Sequence, residues 1–166
     1  MEQALRILPV SMPLRIVTYD IDFAGVVSNI VYIRWLEDLR LRFMEVHYPL
    51  EQAIKERSVP LISKTQARYL KPLRLFDQPN GSVWVERLDR VRFVMGAEIQ
   101  KGGQKVFEAT QEGCFVNLET KSPVRIPKEL QGLSLAYIEG LNGPANEIEH
   151  PKFKTSIQKN DVGTAC

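Results

Sequence analysis

The chain has 166 residues, 44% of them hydrophobic and 25% charged, enough to bury one ordinary core and short of two independent domains. Lys and Arg number 22 against 20 Asp and Glu, a formal charge of +2, without the dense basic surface of a nucleic-acid binder. No run of about 18 apolar residues occurs, and the opening MEQALRILPVSMPLR, with Glu2, Pro9 and Pro13, lacks a signal-peptide pattern, so no membrane span and a cytoplasmic location are expected.

In chain order, residues 14–19, LRIVTY, read as a first strand that ends at two acids, Asp20 and Asp22. Residues 29–47 change period: Val31, Trp35, Leu39 and Phe43, with Tyr32, Leu36 and Val46 beside them, form a wide apolar stripe at helical spacing. Arg34 with Asp38 and Asp38 with Arg42 supply charge pairs four apart on the narrow remaining face. Ser28 and Asn29 are both good N-cap residues, and Pro49 marks the end. Residues 50–58 read as a short helical or irregular connection. Four strands follow at 61–70, 82–88, 91–100 and 104–118, separated by the turn-rich FDQPNGS and by KGGQ. In the third of these, Val91, Phe93, Met95, Ala97 and Ile99 alternate with a mixed face, and Gly102-Gly103 suits the positive-φ positions of a tight hairpin. Beyond Leu130 the periodicity fades, which divides the chain into a domain at 1–130 and an extension at 131–166. The whole reads as one α+β domain whose antiparallel sheet curls around a single long helix.

The chemistry concentrates in YDIDFAGVVSNIVYIRWLE, residues 19–37. If the strand keeps its alternation, Asp20 and Asp22 project to the side of Ile16 and Thr18. Paired carboxylates resist joint ionisation unless a helix terminus or a cation favours the charge. The helix starting near Asn29 offers such a terminus, because its unsatisfied N–H groups and dipole favour negative charge, including a developing oxyanion. Gly25 permits a positive φ between acids and helix. A carboxylate beside fixed donors is what acyl transfer needs. Acids ahead of a helix also serve as caps or solvated loop residues, so spacing alone leaves the function open.

YDIDFAG followed by VYIRWLE resembles the motif of hotdog-fold acyl-CoA thioesterases of the 4-hydroxybenzoyl-CoA thioesterase type: acid, any residue, acid, two residues, glycine, then a tyrosine, an aromatic and an acid on a long central helix. ARYLKPLRLFD is similar to the family's strand that ends in a proline-containing bend before an acid. The resemblance spans about residues 14–130 and implies a hotdog fold, a curled antiparallel sheet wrapped around one long central helix. It also implies that Asp22 is the catalytic carboxylate, as nucleophile or general base, and that the amide near Asn29 polarises the thioester oxygen. Homodimers or homotetramers with interfacial active sites and no metal or other cofactor are implied as well. Many members carry an aromatic residue and a histidine where this chain has Ser28 and Asn29; Asn29 can donate a hydrogen bond but cannot shuttle a proton. In this respect the chain also resembles acyl-carrier-protein thioesterases of the same fold.

The expected activity is therefore hydrolysis of an acyl thioester of coenzyme A or acyl carrier protein. Asp22 and Asn29 act, Asp20 and Gly25 support them, and Tyr32 lies within one turn, able to line the acyl pocket. The alternative is a non-hydrolytic hotdog protein that binds acyl-CoA or acts elsewhere in fatty-acyl or polyketide chemistry. His47 and His150 lack partners at ligand spacing and read as structural, with an imidazolium suiting the helix C-terminus at His47. Cys114 reads as a buried thiol and Cys166 as a second free one. Lys71, Arg74, Arg87, Arg90 and Arg92 are candidates for the phosphates of coenzyme A.

Overall fold

The computed structural model describes residues 5–142. The elements run β1 (Ile7–Pro13), a 3-10 turn (Thr18–Asp20), α1 (Asn29–His47), α2 (Leu50–Lys55), β2 (Ser58–Tyr69), β3 (Asn80–Leu88), β4 (Arg92–Lys101), β5 (Gln104–Asn117), β6 (Pro123–Val124) and α3 (Lys128–Asn142). All strand pairs are antiparallel, in the order β1-β3-β4-β5-β2, and the short β6 also pairs with β5. Edges therefore fall at β1 and at β2, which is 12 residues long.

One face of the sheet carries Val83, Val85, Phe93, Met95, Ile99 and Phe107 into the core, where they meet Val31, Trp35, Leu36, Leu39 and Phe43 of α1. Strict alternation in β3 and β4 produces this face. A two-residue turn at Gly102 (φ +55°) and Gly103 (φ +76°) joins Lys101 to its partner Gln104, as the two glycines predict. On the opposite face Arg6 grips the buried Glu98 at 2.9 and 2.8 Å and lies 3.9 Å over the Trp84 ring. That guanidinium holds the Glu98 carboxyl below the usual carboxylate range despite its burial.

Three expectations need correction. The first strand is Ile7–Pro13, upstream of LRIVTY; residues 14–17 are loop, tied down by the Leu14 amide donating to the Pro79 carbonyl at 2.9 Å. Asp20 and Asp22 thus do not end a strand, and no common face carries them. The segment after residue 130 is not aperiodic: α3 crosses that position, and Leu130, Ser134, Tyr137 and Ile138 turn one stripe toward the protein. Cys166 and His150 lie outside the described residues. Cys114 is a free thiol, half-buried in β5.

At the far end of α1 the His47 ring packs 4.7 Å from that of Phe43, and its Nε2 is buried without a hydrogen-bond partner. Burial lowers the imidazole pKa, opposed only in part by the Leu8 backbone, so the neutral form is favoured rather than the expected imidazolium. As pH falls, the unfolded chain takes up this proton first. The contribution of neutral His47 is therefore full above the unfolded value of about 6.5 and is lost as pH drops toward the depressed folded value. The urea midpoint should decline as pH falls below about 6.5, and His47→Leu should flatten that decline. No helix among the described residues is long and apolar enough to cross a membrane.

Candidate active site

The segment between the 3-10 turn and α1 is held by hydrogen bonds that give the two acids different surroundings. Asp20 is 1% exposed. One of its carboxylate oxygens accepts the Val17 amide at 3.0 Å and the other pairs with Arg34 from the second turn of α1. Its carbonyl accepts the Ser28 amide at 2.8 Å. Asp20 is a clasp that fastens the loop to both ends of its own span. Arg34 accordingly reaches back to Asp20, the use of its charge that spacing along the helix did not foresee.

Asp22 sits after the isolated bridge Ile21↔Val27. Its Oδ1 accepts the Ala24 amide at 2.8 Å and the Val26 amide at 3.5 Å, while backbone bonds from Asp22 to Val26 (2.9 Å) and from Gly25 to Asp22 (3.0 Å) close the loop. Gly25 has φ +75° and open space around the missing Cβ, so the glycine is there for its backbone angle and not for room. Asp22 is half-buried, and its Oδ2 has no hydrogen-bond partner among the described residues. One oxygen oriented by amides and one left open is an arrangement that can present a carboxylate to a ligand, and it is also an ordinary Asx loop closure.

Helix α1 begins at Asn29 with Ser28 at the N-cap, but the serine side chain makes no capping bond. The amides of Asn29 and Ile30, which cannot find intrahelical acceptors, have no partner among the described residues. The Val27 amide donates to the Leu73 carbonyl at 2.8 Å, binding this loop to the segment that follows β2. Lys71 and Arg74 flank that junction. Arg87 is paired with Asp89 at 3.2 Å, and Arg90 and Arg92 lie at the β3–β4 turn. Phe23, Ile30 and Tyr19 leave large apolar surfaces exposed around the site.

Tyr32 is buried, its ring 5.3 Å from Trp35, 5.2 Å from Tyr69 and 5.1 Å from Phe107, and desolvation raises its pKa. Tyr69 is a residue that sequence reasoning passed over. Its half-exposed hydroxyl donates to the Asn29 carbonyl at 3.1 Å, joining the last residue of β2 to the first of α1. The partners are 40 residues apart in sequence, and only the aromatic type of Tyr69 at the end of a strand hinted at the contact. Tyr69→Phe should keep the ring packing and lose this bond, lowering unfolding free energy by about 1 kcal/mol in a urea titration.

Known proteins share this chain's fold. The profile of the thioesterase-like superfamily matches residues 16–133. No curated protein sequence matches. Among solved structures, a hypothetical protein from Aquifex aeolicus is 24% identical with a TM-score of 0.70, covering 75% of this chain and 98% of its own. DHNA-CoA thioesterase from Staphylococcus aureus is 19% identical with a TM-score of 0.71, covering 81% of this chain and 93% of that one. A further hypothetical protein from Staphylococcus aureus, solved in complex with CoA, is 16% identical with a TM-score of 0.74 and covers 88% and 92%. These likenesses show a shared fold. With the family profile running from the loop before Asp20 to the first turns of α3, the chain belongs to the thioesterase-like superfamily.

Proposed function

We propose that the protein hydrolyses acyl-CoA thioesters, with Asp22 as the acting carboxylate and the first amide of α1 as the oxyanion donor, on a hotdog fold in which the sheet curls around α1. The observation that carries this reading is the pairing within one hydrogen-bonded loop of an open Asp22 oxygen and the unpartnered Asn29 and Ile30 amides. A thioester carbonyl lying between them meets a base or nucleophile on its carbon and donors on its oxygen. As nucleophile, Asp22 adds to the carbonyl carbon, the oxyanion collapses with loss of the thiolate, and water opens the resulting anhydride. As base, it takes a proton from the attacking water, and the same oxyanion expels the thiolate. Asn29 enters through its amide, Asp20 and Gly25 by fixing the loop, and Tyr32 from beneath the first turn. Lys71 and Arg74 are the cations best placed for phosphates of the nucleotide, since they flank the Leu73 carbonyl that binds the Asp22 loop.

The long open edge of β2, with Leu61 and Tyr69 exposed along it, supports pairing of two copies edge to edge, which would bring α1 of each toward the other. Thiol release from a panel of aliphatic and aromatic acyl-CoA thioesters tests the activity. Turnover on any of them supports it; binding of the analogues without turnover points to a non-hydrolytic acyl-CoA binder, and turnover only with carrier-protein substrates moves the thioester but keeps the chemistry.

A further inference from the structure

The stripe that α3 turns toward the protein carries two polar residues among its apolar ones. Gln131 and Ser134 sit three apart, between Leu130 and Ile138. Ser134 is 4% exposed, yet its Oγ is buried without a hydrogen-bond partner. A helical serine ordinarily satisfies its hydroxyl on the carbonyl one turn back, and a buried hydroxyl left unanswered is costlier than the methyl of an alanine. Gln131 is half-buried, and its Nε2 donates to the Ile126 carbonyl at 3.0 Å, which uses one of the two amide hydrogens.

Both residues line a cleft of about 370 Å³ between α3, the start of β1 and the β3–β4 turn. One end of it is polar. The Gln131 bond to Ile126 puts Arg125 at that end, and the Ile126 amide, donating to the Arg90 carbonyl at 3.1 Å, brings Arg90 beside it. Neither arginine has an acid at ion-pair distance among the described residues. Asp89, an acid in the same lining, is taken by Arg87 at 3.2 Å. The other walls are aliphatic, made by Ile7, Leu88, Leu135 and Ile138, and Leu135 is left 61% exposed at the lip.

We infer that this cleft binds an aliphatic monocarboxylate. The carboxylate accepts from the Ser134 hydroxyl and the second Gln131 amide hydrogen in the field of Arg90 and Arg125, and the chain lies along Leu135, Ile138 and Ile7. From Gln131 to Ile138 the helix rises about 10 Å, which suits a chain of about eight carbons. Hydrocarbon walls beside the cations select this ligand over a bare inorganic anion, which would leave them uncovered. The cleft is separate from the loop that carries Asp22. Asn29 opens α1 and His47 closes it about 27 Å further on, and the His47 imidazole meets the Leu8 backbone next to Ile7 of the cleft. The site therefore stands whether or not the protein is a hydrolase.

The test is calorimetric titration of octanoate into the full-length protein and into Arg90→Gln, Arg125→Gln and Ser134→Ala, each checked for folding by thermal melting, with octan-1-ol and inorganic phosphate as the comparison ligands. Octanoate should bind the wild type saturably with one molecule per chain, and octan-1-ol at least about tenfold more weakly for want of the charge. Each arginine variant should weaken octanoate by about tenfold and Ser134→Ala by about fivefold. Because the Ser134 hydroxyl is unanswered in the free protein, Ser134→Ala should melt at or above the wild-type temperature. Absence of saturable octanoate binding overturns the site, as does binding indifferent to all three variants, which would put the ligand elsewhere on the molecule. Phosphate that binds as tightly as octanoate overturns the aliphatic class. A lower melting temperature in Ser134→Ala with octanoate binding unchanged overturns the role given to the hydroxyl.

Discussion

Asp22→Asn is expected to lower turnover of an acyl-CoA thioester by about a thousandfold while leaving stability within about 0.5 kcal/mol of the wild type. The asparagine carbonyl oxygen can still accept the Ala24 and Val26 amides that Asp22 Oδ1 accepts, so the loop and the positive φ at Gly25 survive. What disappears is the charge on the open oxygen. An amide neither removes a proton from water nor attacks a thioester, so the loss should fall on kcat and leave binding of a non-hydrolysable analogue within a few-fold. Stopped-flow or steady-state thiol release with the two proteins decides it. Turnover indifferent to the substitution would remove Asp22 from the chemistry and leave it as the loop closure its hydrogen bonds also describe.

The neighbouring acid should give the opposite result. Asp20→Ala is expected to destabilise the fold by about 2–3 kcal/mol, because the Val17 amide and Arg34 lose the oxygens they meet inside a site closed to water. Arg34 is half-exposed and can turn outward, which keeps the figure below the cost of breaking a fully buried pair. Tm should fall by about 4–12 °C for a chain of this size. Activity should fall with it, since the side-chain bonds lost with Asp20, to the Val17 amide and to Arg34 of α1, hold the loop that carries Asp22 against the helix. Two aspartates one residue apart thus separate cleanly: calorimetry reads the first, and kinetics the second.

Why the two differ was not visible in the chain. LRIVTY has the β-branched content of a strand, and a period of two then places both acids on one side. β propensity, however, mostly records how a residue fits a half-buried pleated surface, and here the sheet has no place left for this segment. β1 takes the position beside β3 with ILPVSMP, whose two prolines argue against a strand and suit an edge. α1 was legible to the residue at both ends, because capping types, a broad stripe and Pro49 all agree. The β4–β5 hairpin was equally clear, from alternation plus Gly102-Gly103. α3 was obscured by Gly132 and Gly140, which weaken a helix locally, while the contacts of Leu130 and Ser134 that hold it are tertiary. The Tyr69–Asn29 bond and the link from Arg40 through Gln111 of β5 to Thr65 join residues far apart in sequence, and no local pattern encodes which strand will meet α1.

That placement of β1 at the rim bears on how large an assembly could grow. Two copies joined along β2 would use up both long strands and leave a β1 at each outer end of the combined sheet. β1 has seven residues, two of them prolines without an amide hydrogen, and its ladder slips register between Ile7 and Val10, with Leu8 turned to φ +51°. Such a rim offers a poor template for another strand. Edge-to-edge addition of such pairs would then stop at two copies instead of running on into a ribbon.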